Sequence, residues 1–386
     1  MAELDRRTVL RGMGGVAAVG MGSLVLGGCG TSGGKQDADD CTSKDVSATE
    51  KQLVVSNWPE YIDEDDGDYV STLTQFQKDS GITVDYTADV NDNNEFYGKV
   101  KNQLSACSAT KRDMFMLTDW MAARMIQSGW IQKLDAANVP NLHANIIDSL
   151  GNVGWDKKRE YSAPWQSGLT GLAYNKSKVK EVRSFEELIT RNDLKGRISL
   201  LSEMNDTMGM MLLAEGADPS DFSDDEWQKA LDRLNKARSD GQVRSFTGNE
   251  YIQDLTAGNI VACEAWSGDV AAADDENLVF VPAEEGLMIW ADNMLVPNKA
   301  SHKANAEEWI NYYYEPEVAA KLASFVWFIC PVKGAQEAME KVDSSLVDNE
   351  LIFPTDKTLS ATHAFMELDS KQEREYQRAF AKAIGG

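Results

Sequence analysis

The chain has 386 residues, of which 42% are hydrophobic, and its 62 acidic and 38 basic side chains give a formal net charge of −24. This apolar content excludes a wholly disordered chain, and the length predicts two domains rather than one. The lysines and arginines are scattered, so no basic face could neutralise a phosphate backbone, and nucleic acid is a poor partner. A cationic ligand suits the negative charge better, although acidity alone identifies none.

The first 28 residues predict an export signal rather than a domain. Arg6 and Arg7 precede an uncharged stretch, residues 12–28, which ends in Leu-Gly-Gly directly before Cys29. The pattern resembles a twin-arginine export signal that ends in the lipobox of bacterial and archaeal lipoproteins. Its glycines and short apolar length argue against a membrane-spanning anchor. The resemblance implies cleavage before Cys29, lipid on the Cys29 sulfur, and attachment to the outer face of the cytoplasmic membrane, in the periplasm or at the cell surface.

Residues 29–51 predict a flexible tether, because they are rich in Gly, Ser, Thr and Asp and have no apolar periodicity. Four cysteines follow Cys29 in the chain, and they are Cys41, Cys107, Cys263 and Cys330. In an exported protein they permit two disulfides with three alternative pairings. Buried free thiols are an equal alternative.

Short apolar runs alternate with helical patterns along the rest of the chain. Strands are predicted at residues 53–56, 81–86, 114–117, 170–175, 198–201, 260–266, 278–282 and 288–297. Helices are predicted at residues 69–78, 96–104, 121–127, 208–215, 224–239, 251–257, 305–325 and 373–384. This alternation predicts an α/β fold with a parallel sheet covered by helices on both faces.

The sequence lacks the usual motifs of catalytic, nucleotide and metal sites. A dinucleotide-like glycine pattern at residues 12–17 lies inside the leader, with no strand before it. His143, His302 and His363 are too far apart to suggest a zinc site. The acidic run at residues 63–68 breaks the EF-hand pattern at both ends, so we interpret it as a solvated acidic surface. The sequence therefore predicts no cofactor, no metal site and no catalytic residue.

Aromatic residues stand at the ends of predicted strands and in the segments that cross between them, and some of them have a carboxylate within three residues. The aromatics are Trp58, Tyr61, Trp120, Trp165, Trp266, Trp290 and Phe328, and the carboxylates are Glu60, Asp119, Asp269 and Asp292. Aromatic faces combined with carboxylates bind organic ammonium groups well, because the ring attracts the cation and covers its methylenes. Any single tryptophan could equally be a core anchor, so the prediction of a site rests on the whole set.

Four short segments resemble, in order and in spacing, the spermidine/putrescine-binding proteins of ABC importers. They are Val-Ser-Asn-Trp-Pro-Glu-Tyr at 55–61, Leu-Thr-Asp-Trp at 117–120, Ala-Trp-Ser-Gly-Asp at 265–269 and Ile-Trp-Ala-Asp at 289–292. The resemblance covers nearly all of residues 52–386 and implies the type II periplasmic binding protein fold, with two α/β lobes and a ligand cleft between them. It places lobe 1 at residues 52–163 and about 293–330, lobe 2 at 164–292, and C-terminal helices that pack on the lobes at 331–386.

The resemblance also implies a set of ligand-binding residues. These are Trp58, Glu60, Tyr61, Thr118, Asp119, Trp120, Thr207, Trp266, Asp269, Trp290, Asp292 and Phe328. Two of them depart from the family pattern. Thr207 stands where the family has an acid, with Glu203 and Asp206 nearby but out of register, and Phe328 replaces a tyrosine and so loses a hydroxyl. These departures leave open which polyamine is bound.

The expected function is therefore that of a monomeric, lipid-anchored and non-enzymatic receptor. It would capture a polyamine outside the cell and deliver it to an ABC permease and its ATPase. One alternative is a receptor of the same fold for another amine-bearing or neutral solute, and another is a sensor that presents its closed lobes to a partner. An exported hydrolase that uses paired carboxylates ranks far below these.

Overall fold

Apolar runs in the first part of the chain form a small parallel sheet. The computed structural model describes residues 41–385, so the predicted signal and Cys29 lie outside the described residues. The first elements are β1 (Gln52–Asn57), α1 (Thr72–Ser80), β2 (Thr83–Ala88), α2 (Asn93–Ser105), β3 (Met114–Thr118), α3 (Asp119–Gln127), α4 (Pro140–Asn145) and α5 (Asp148–Gly151). β1 pairs in parallel with both β2 and β3. The predicted strands and helices of this part are confirmed, with ends that differ by a few residues.

The middle of the chain builds a second group of strands and helices. It contains β4 (Ser162–Asn175), α6 (Phe185–Thr190), β5 (Ile198–Leu201), α7 (Met204–Ala214), α8 (Asp224–Ser239), β6 (Val243–Thr247), α9 (Tyr251–Ala257), β7 (Ala262–Trp266), α10 (Ser267–Ala272) and β8 (Leu278–Val281). α8 begins at a capping box formed by Ser223 and Glu226. Its apolar residues recur at helical spacing and are buried. The sequence pattern does not predict β6, because it is a half-buried edge strand with a charged residue inside it.

The last part of the chain returns to the first group and then adds helices. It contains β9 (Leu287–Leu295), α11 (Lys303–Tyr313), α12 (Pro316–Val326), α13 (Ala335–Val342), α14 (Asp356–Leu359), β10 (Thr362–His363) and α15 (Ser370–Ile384). The single helix predicted at 305–325 is wrong. Pro316 starts a second helix, and Glu315 before it has extended backbone, because proline lacks an N–H and disfavours a helical residue in front of it.

All these strands belong to one sheet, in which the main order is β2-β1-β3-β9-β4-β7-β5-β6. β9 is antiparallel to its neighbours β3 and β4, and β4 is antiparallel to β7, so the prediction of a wholly parallel sheet is wrong at the centre. We name the part built on β1–β3 lobe 1 and the part built on β5–β7 lobe 2. β4 and β9 pass between the lobes, and the predicted boundaries at 163/164 and 292/293 fall inside these shared strands.

Buried side chains cover both sides of this sheet. In lobe 1 the strands β1 and β3 are almost wholly buried and pack against α11 and α12. In lobe 2 the core is formed by β5, α7 and α8. The C-terminal helix α15 packs on α8, where the rings of Trp227 and Tyr376 stack 4.0 Å apart. No helix within residues 41–385 is long and apolar enough to cross a membrane.

The segment before β1 is attached to lobe 1 along residues 41–51. Cys41 forms a disulfide with Cys107, and the backbone N–H of Val46 donates to the carbonyl of Ser301 at 2.8 Å. The prediction of a flexible tether is therefore wrong for residues 41–51, and residues 29–40 lie outside the described part. The other two cysteines that follow Cys29, Cys263 and Cys330, are buried free thiols. One disulfide thus forms where two were possible.

The acidic run at residues 63–68 is not wholly a solvated surface. Asp63 is buried and accepts hydrogen bonds from the backbone N–H of Thr72 and the hydroxyl of Tyr69, each at 2.7 Å. Asp65 accepts from the backbone N–H of Ser71 at 2.7 Å. These carboxylates therefore fix the chain at the start of α1, and the prediction holds only for the exposed acids of the run.

Candidate functional site

A cavity of about 370 Å³ lies between the two lobes. It opens where β1, β3 and β7 end, which is where open α/β sheets bind their ligands. β9 supplies a further wall, because it passes between the lobes. Residues from both lobes and from the shared strands therefore face one space.

Aromatic rings form a continuous lining in the inner part of this cavity. The ring of Trp266 lies 5.9 Å from that of Trp58 and 6.2 Å from that of Trp290. The chain of contacts continues from Trp290 to Phe328 at 5.6 Å and from Phe328 to Tyr61 at 5.1 Å. Most of these pairs meet edge to face, the arrangement that ring quadrupoles favour. We call these five residues the aromatic box.

Two glycines allow the rings of the aromatic box to approach the backbone. A Cβ atom on Gly268 would lie 2.4 Å from the Phe328 ring, and one on Gly168 would lie 2.4 Å from the Trp290 ring. Any larger residue would displace these rings. The glycine of the Trp-Ser-Gly-Asp segment is therefore required by the packing of Phe328 above it.

Two aspartates stand beside the aromatic box. Asp292 on β9 accepts a hydrogen bond from the hydroxyl of Thr118 at 2.7 Å. Asp269, in the first turn of α10, accepts from Asn249 Nδ2 at 3.0 Å and from the Tyr251 hydroxyl at 2.8 Å. Burial raises the pKa of each aspartate to about 7, although these hydrogen bonds act in the opposite direction.

Asp206, on the first turn of α7, adds a third carboxylate to the cavity. It accepts from the hydroxyl of Thr170, which in turn accepts from Trp290 Nε1 at 2.9 Å, and burial raises its pKa to about 6. Within residues 41–385, no lysine, arginine or histidine forms an ion pair with Asp206, Asp269 or Asp292. Because buried carboxylates without a cation are costly, the cavity is suited to a ligand that carries its own positive charge.

Residues 71–349 match the model of a family described as bacterial extracellular solute-binding proteins. The chain belongs to this family. The family resemblance drawn from the sequence is thereby confirmed, and the protein is a solute-binding protein that acts outside the cytoplasm rather than an enzyme.

Named relatives align with nearly the whole of this solute-binding protein. The putrescine-binding periplasmic protein PotF of Escherichia coli is 28% identical over 364 residues, which are 88% of this chain and 93% of the relative. The spermidine/putrescine-binding periplasmic protein 1 of Haemophilus influenzae is 25% identical over 334 residues, covering 85% and 88%. The solved structure of a putative spermidine/putrescine ABC transporter from Listeria monocytogenes has a TM-score of 0.75 at 25% identity and covers 87% of this chain and 99% of its own. The fold is that of the type II periplasmic binding proteins, as expected.

Most of the residues predicted for the site do line the cavity of this solute-binding protein. They are Trp58, Tyr61, Thr118, Asp119, Trp120, Trp266, Asp269, Trp290, Asp292 and Phe328. Their role in binding stays a prediction, but the structure brings them to one space from separate elements. Trp165 is buried in the core instead, where it packs against Trp309 and Tyr313.

Three predicted residues have other surroundings. Asp119 lines the cavity, but its carboxylate accepts from Asn293 Nδ2 at 2.8 Å and from the backbone N–H of Ala291 at 3.2 Å, so it orients β9. Glu60, which has a left-handed backbone with φ of 56°, is exposed and does not line the cavity, but its charge contributes to raising the pKa of Asp269. Thr207 is buried below the cavity wall and donates to the carbonyl of Leu201 at 2.8 Å.

Several cavity residues are not predicted by the sequence pattern. Glu203 and Asp206 both lie on the cavity wall, whereas Thr207, which directly follows Asp206 in the same helix, does not. Trp155 and the segment 364–368 also line the cavity, and no local motif marks them.

Proposed function

We propose that this solute-binding protein is the receptor of an ABC importer and that it binds a polyamine in the cleft between its lobes. The observation that carries the proposal is the pair Asp269 and Asp292, buried beside the aromatic box with no cationic partner among the described residues. The names of the relatives, which mention putrescine and spermidine, support the same class of ligand.

The chemistry of the cavity favours an alkylamine over other cations or neutral solutes. Ring faces cover methylene groups and attract ammonium groups, while a carboxylate satisfies each charged end. A divalent metal ion would need several oxygen ligands around one point, and the aromatic walls supply none. A neutral solute would leave the buried aspartates unpaired.

The position of these groups also explains how binding could close the cleft. Asp269 belongs to lobe 2, Tyr61 follows β1 of lobe 1, and Asp292 lies on the shared strand β9. A diamine that contacts all three would bind the closed form better than the open form. Its binding would therefore shift the population toward closure by that difference in affinity.

We further propose that residues 1–28 are removed after export, that Cys29 carries lipid, and that the monomeric protein delivers its ligand to a permease and an ATPase. The twin arginine and the Leu-Gly-Gly-Cys sequence support this, as do relatives described as periplasmic. Replacement of Cys29 by alanine should move the protein from the membrane fraction to the soluble fraction. An unchanged membrane fraction would contradict the lipid anchor.

A ligand screen by thermal unfolding of the full chain tests the proposed function. Putrescine, spermidine and spermine should each raise the unfolding temperature, because a ligand at 100 times its dissociation constant stabilises the folded state by about 2.7 kcal/mol. 1,4-Butanediol, which has the same carbon chain as putrescine but no charge, is the matched control and should have no effect. Stabilisation by the diol or by neutral amino acids, without any effect of the amines, would contradict the proposal.

A further inference from the structure

The cavity continues beyond the aromatic box along one face of α3. Trp120, Ala123, Arg124 and Gln127 all line it, at the spacing of one helical face. At 1.5 Å per residue, this face provides a wall of about 10 Å. α3 begins directly after Thr118, which donates to Asp292, so the wall starts at the box and leads away from it.

The C-terminal part of the chain supplies further residues to the lining of the cavity. Residues 364–368 and the loop 153–155 line it. The segment is fixed by the pairing of β10 with β9 before it and by the backbone N–H of Met366, which donates to the carbonyl of Pro219 at 2.9 Å. These backbone contacts hold the segment in place, while Gly154 and Glu367 remain exposed to solvent.

The charges along the extension are not all balanced. Arg124 pairs with Glu373, with Nη1 3.2 Å from Oε1, so these two charges neutralise each other. The carboxylate of Glu367 has no hydrogen bond or ion pair with any residue in the described range 41–385. Its Oε1 lies 3.0 Å from where a Cβ of Gly154 would be, so the carboxylate rests over the Gly154 backbone. Trp155 follows that glycine, and Trp120 lies on α3, which also lines the cavity.

We propose that this second compartment, formed by Trp120, Trp155 and Glu367, binds the additional amine of a linear triamine or tetraamine. The inference rests on the proposed function, and it makes the protein selective for longer polyamines over diamines. A four-carbon diamine would pair its two ammonium groups with Asp269 and Asp292, and the extension would then hold only water. A longer amine places further methylenes along the tryptophans and a further ammonium group near Glu367.

Calorimetric titration of the full chain with putrescine, spermidine and spermine tests this inference. We expect the two longer amines to bind more tightly than putrescine, by roughly tenfold, because they bury more methylene surface. Glu367→Gln should weaken the binding of spermidine and spermine by about fivefold, which is the upper end of the range for a solvent-exposed ion pair. It should leave the affinity for putrescine unchanged. Gly154→Ala should have a smaller effect in the same direction, since its methyl group would shift the Glu367 carboxylate by a few tenths of an ångström.

Glu340→Gln is the matched control, because Glu340 is an exposed acid of α13 outside the cavity and its replacement changes the net charge equally. This control variant should bind all three amines with the affinity of the unmodified protein. If putrescine binds as tightly as spermidine, and Glu367→Gln affects all three amines alike or none of them, the inference fails and the proposed function stands. If no amine binds to the unmodified protein, the proposed function fails and the inference fails with it.

Discussion

Asp269 and Asp292 lie in surroundings that disfavour their negative charge. Both are buried, and each has a pKa of about 7, well above the usual value for an aspartate. Neutral donors, namely Thr118, Asn249 and Tyr251, stabilise the charged form only in part. An ammonium group supplies the missing charge, so an amine ligand should lower both pKa values as it binds.

The affinity for polyamines should therefore depend on pH. Below the pKa of about 7, the aspartates must lose protons before they can pair with an amine, so affinity should rise between about pH 5.5 and about pH 8. The stability of the ligand-free protein should depend on pH in the opposite direction. Carboxyl groups with a raised pKa stabilise the folded protein most at low pH, and this stability is lost as the pH rises through about 7.

Calorimetry in buffers of different ionisation enthalpy would measure the protons released at about pH 6. A control with Asp225→Asn, an exposed acid on α8, should show the same pH dependence as the unmodified protein. An affinity that is flat or falls with rising pH would contradict this prediction.

At the residue scale, the sequence predicts the walls of the site better than its acids. Trp58, Trp266, Trp290 and Asp292 can be predicted because each follows or occupies a strand that reaches the cleft. Asp206 cannot, because a pattern of residue types does not determine which position of a helical turn faces the cavity. For Glu60 the role in binding stays a prediction, because its side chain is exposed and outside the cavity lining while its charge still acts on Asp269.

At the scale of elements, the start of α2 meets lobe 2 along the edge of the cleft. The hydroxyl of Ser202 donates to Asp92 Oδ2 at 2.8 Å. Asn94 Nδ2 donates to Gln377 Oε1 on α15 at 3.1 Å. None of these side chains lines the cavity, so these hydrogen bonds join the lobes without touching a ligand. They should stabilise the closed form and thereby raise the affinity for every ligand of the cleft.

The double variant Ser202→Ala with Asn94→Ala should weaken the binding of putrescine and of spermidine by the same factor, about fivefold. The reason is that it removes two hydrogen bonds that form only in the closed form. Asn102→Ala, an exposed asparagine on the same helix, is the control and should bind normally. Calorimetry would contradict this account if the double variant weakened one amine and not the other, or neither.

Elements with a strong local pattern can be predicted, and elements defined by distant contacts cannot. The helix at 224–239 is predicted because its apolar stripe is a local pattern. The break before Pro316 is hidden within a longer apolar pattern. The segment 364–368 has no pattern of its own, since its position depends on β9 and on Pro219.

At the scale of the whole molecule, the net charge of −24 opposes the compact state through self-repulsion. Raising NaCl from about 0.1 M to about 1 M shortens the screening length from about 10 Å to about 3 Å. The unfolding temperature of the ligand-free protein should therefore rise with NaCl. A variant with Asp225→Asn, Glu308→Gln and Glu340→Gln, all exposed acids, should depend less on salt. An unfolding temperature that is constant or falls with NaCl would contradict this prediction.

The most direct test of the central claim is the affinity of spermidine and putrescine for the full chain with Asp269→Asn and with Asp292→Asn, measured by calorimetry. Each substitution removes the charge of a buried carboxylate and keeps its shape, so each should weaken binding by more than about tenfold. Asp225→Asn is again the control. If both variants bind both amines as tightly as the unmodified protein does, the cleft is not a polyamine site of the kind described.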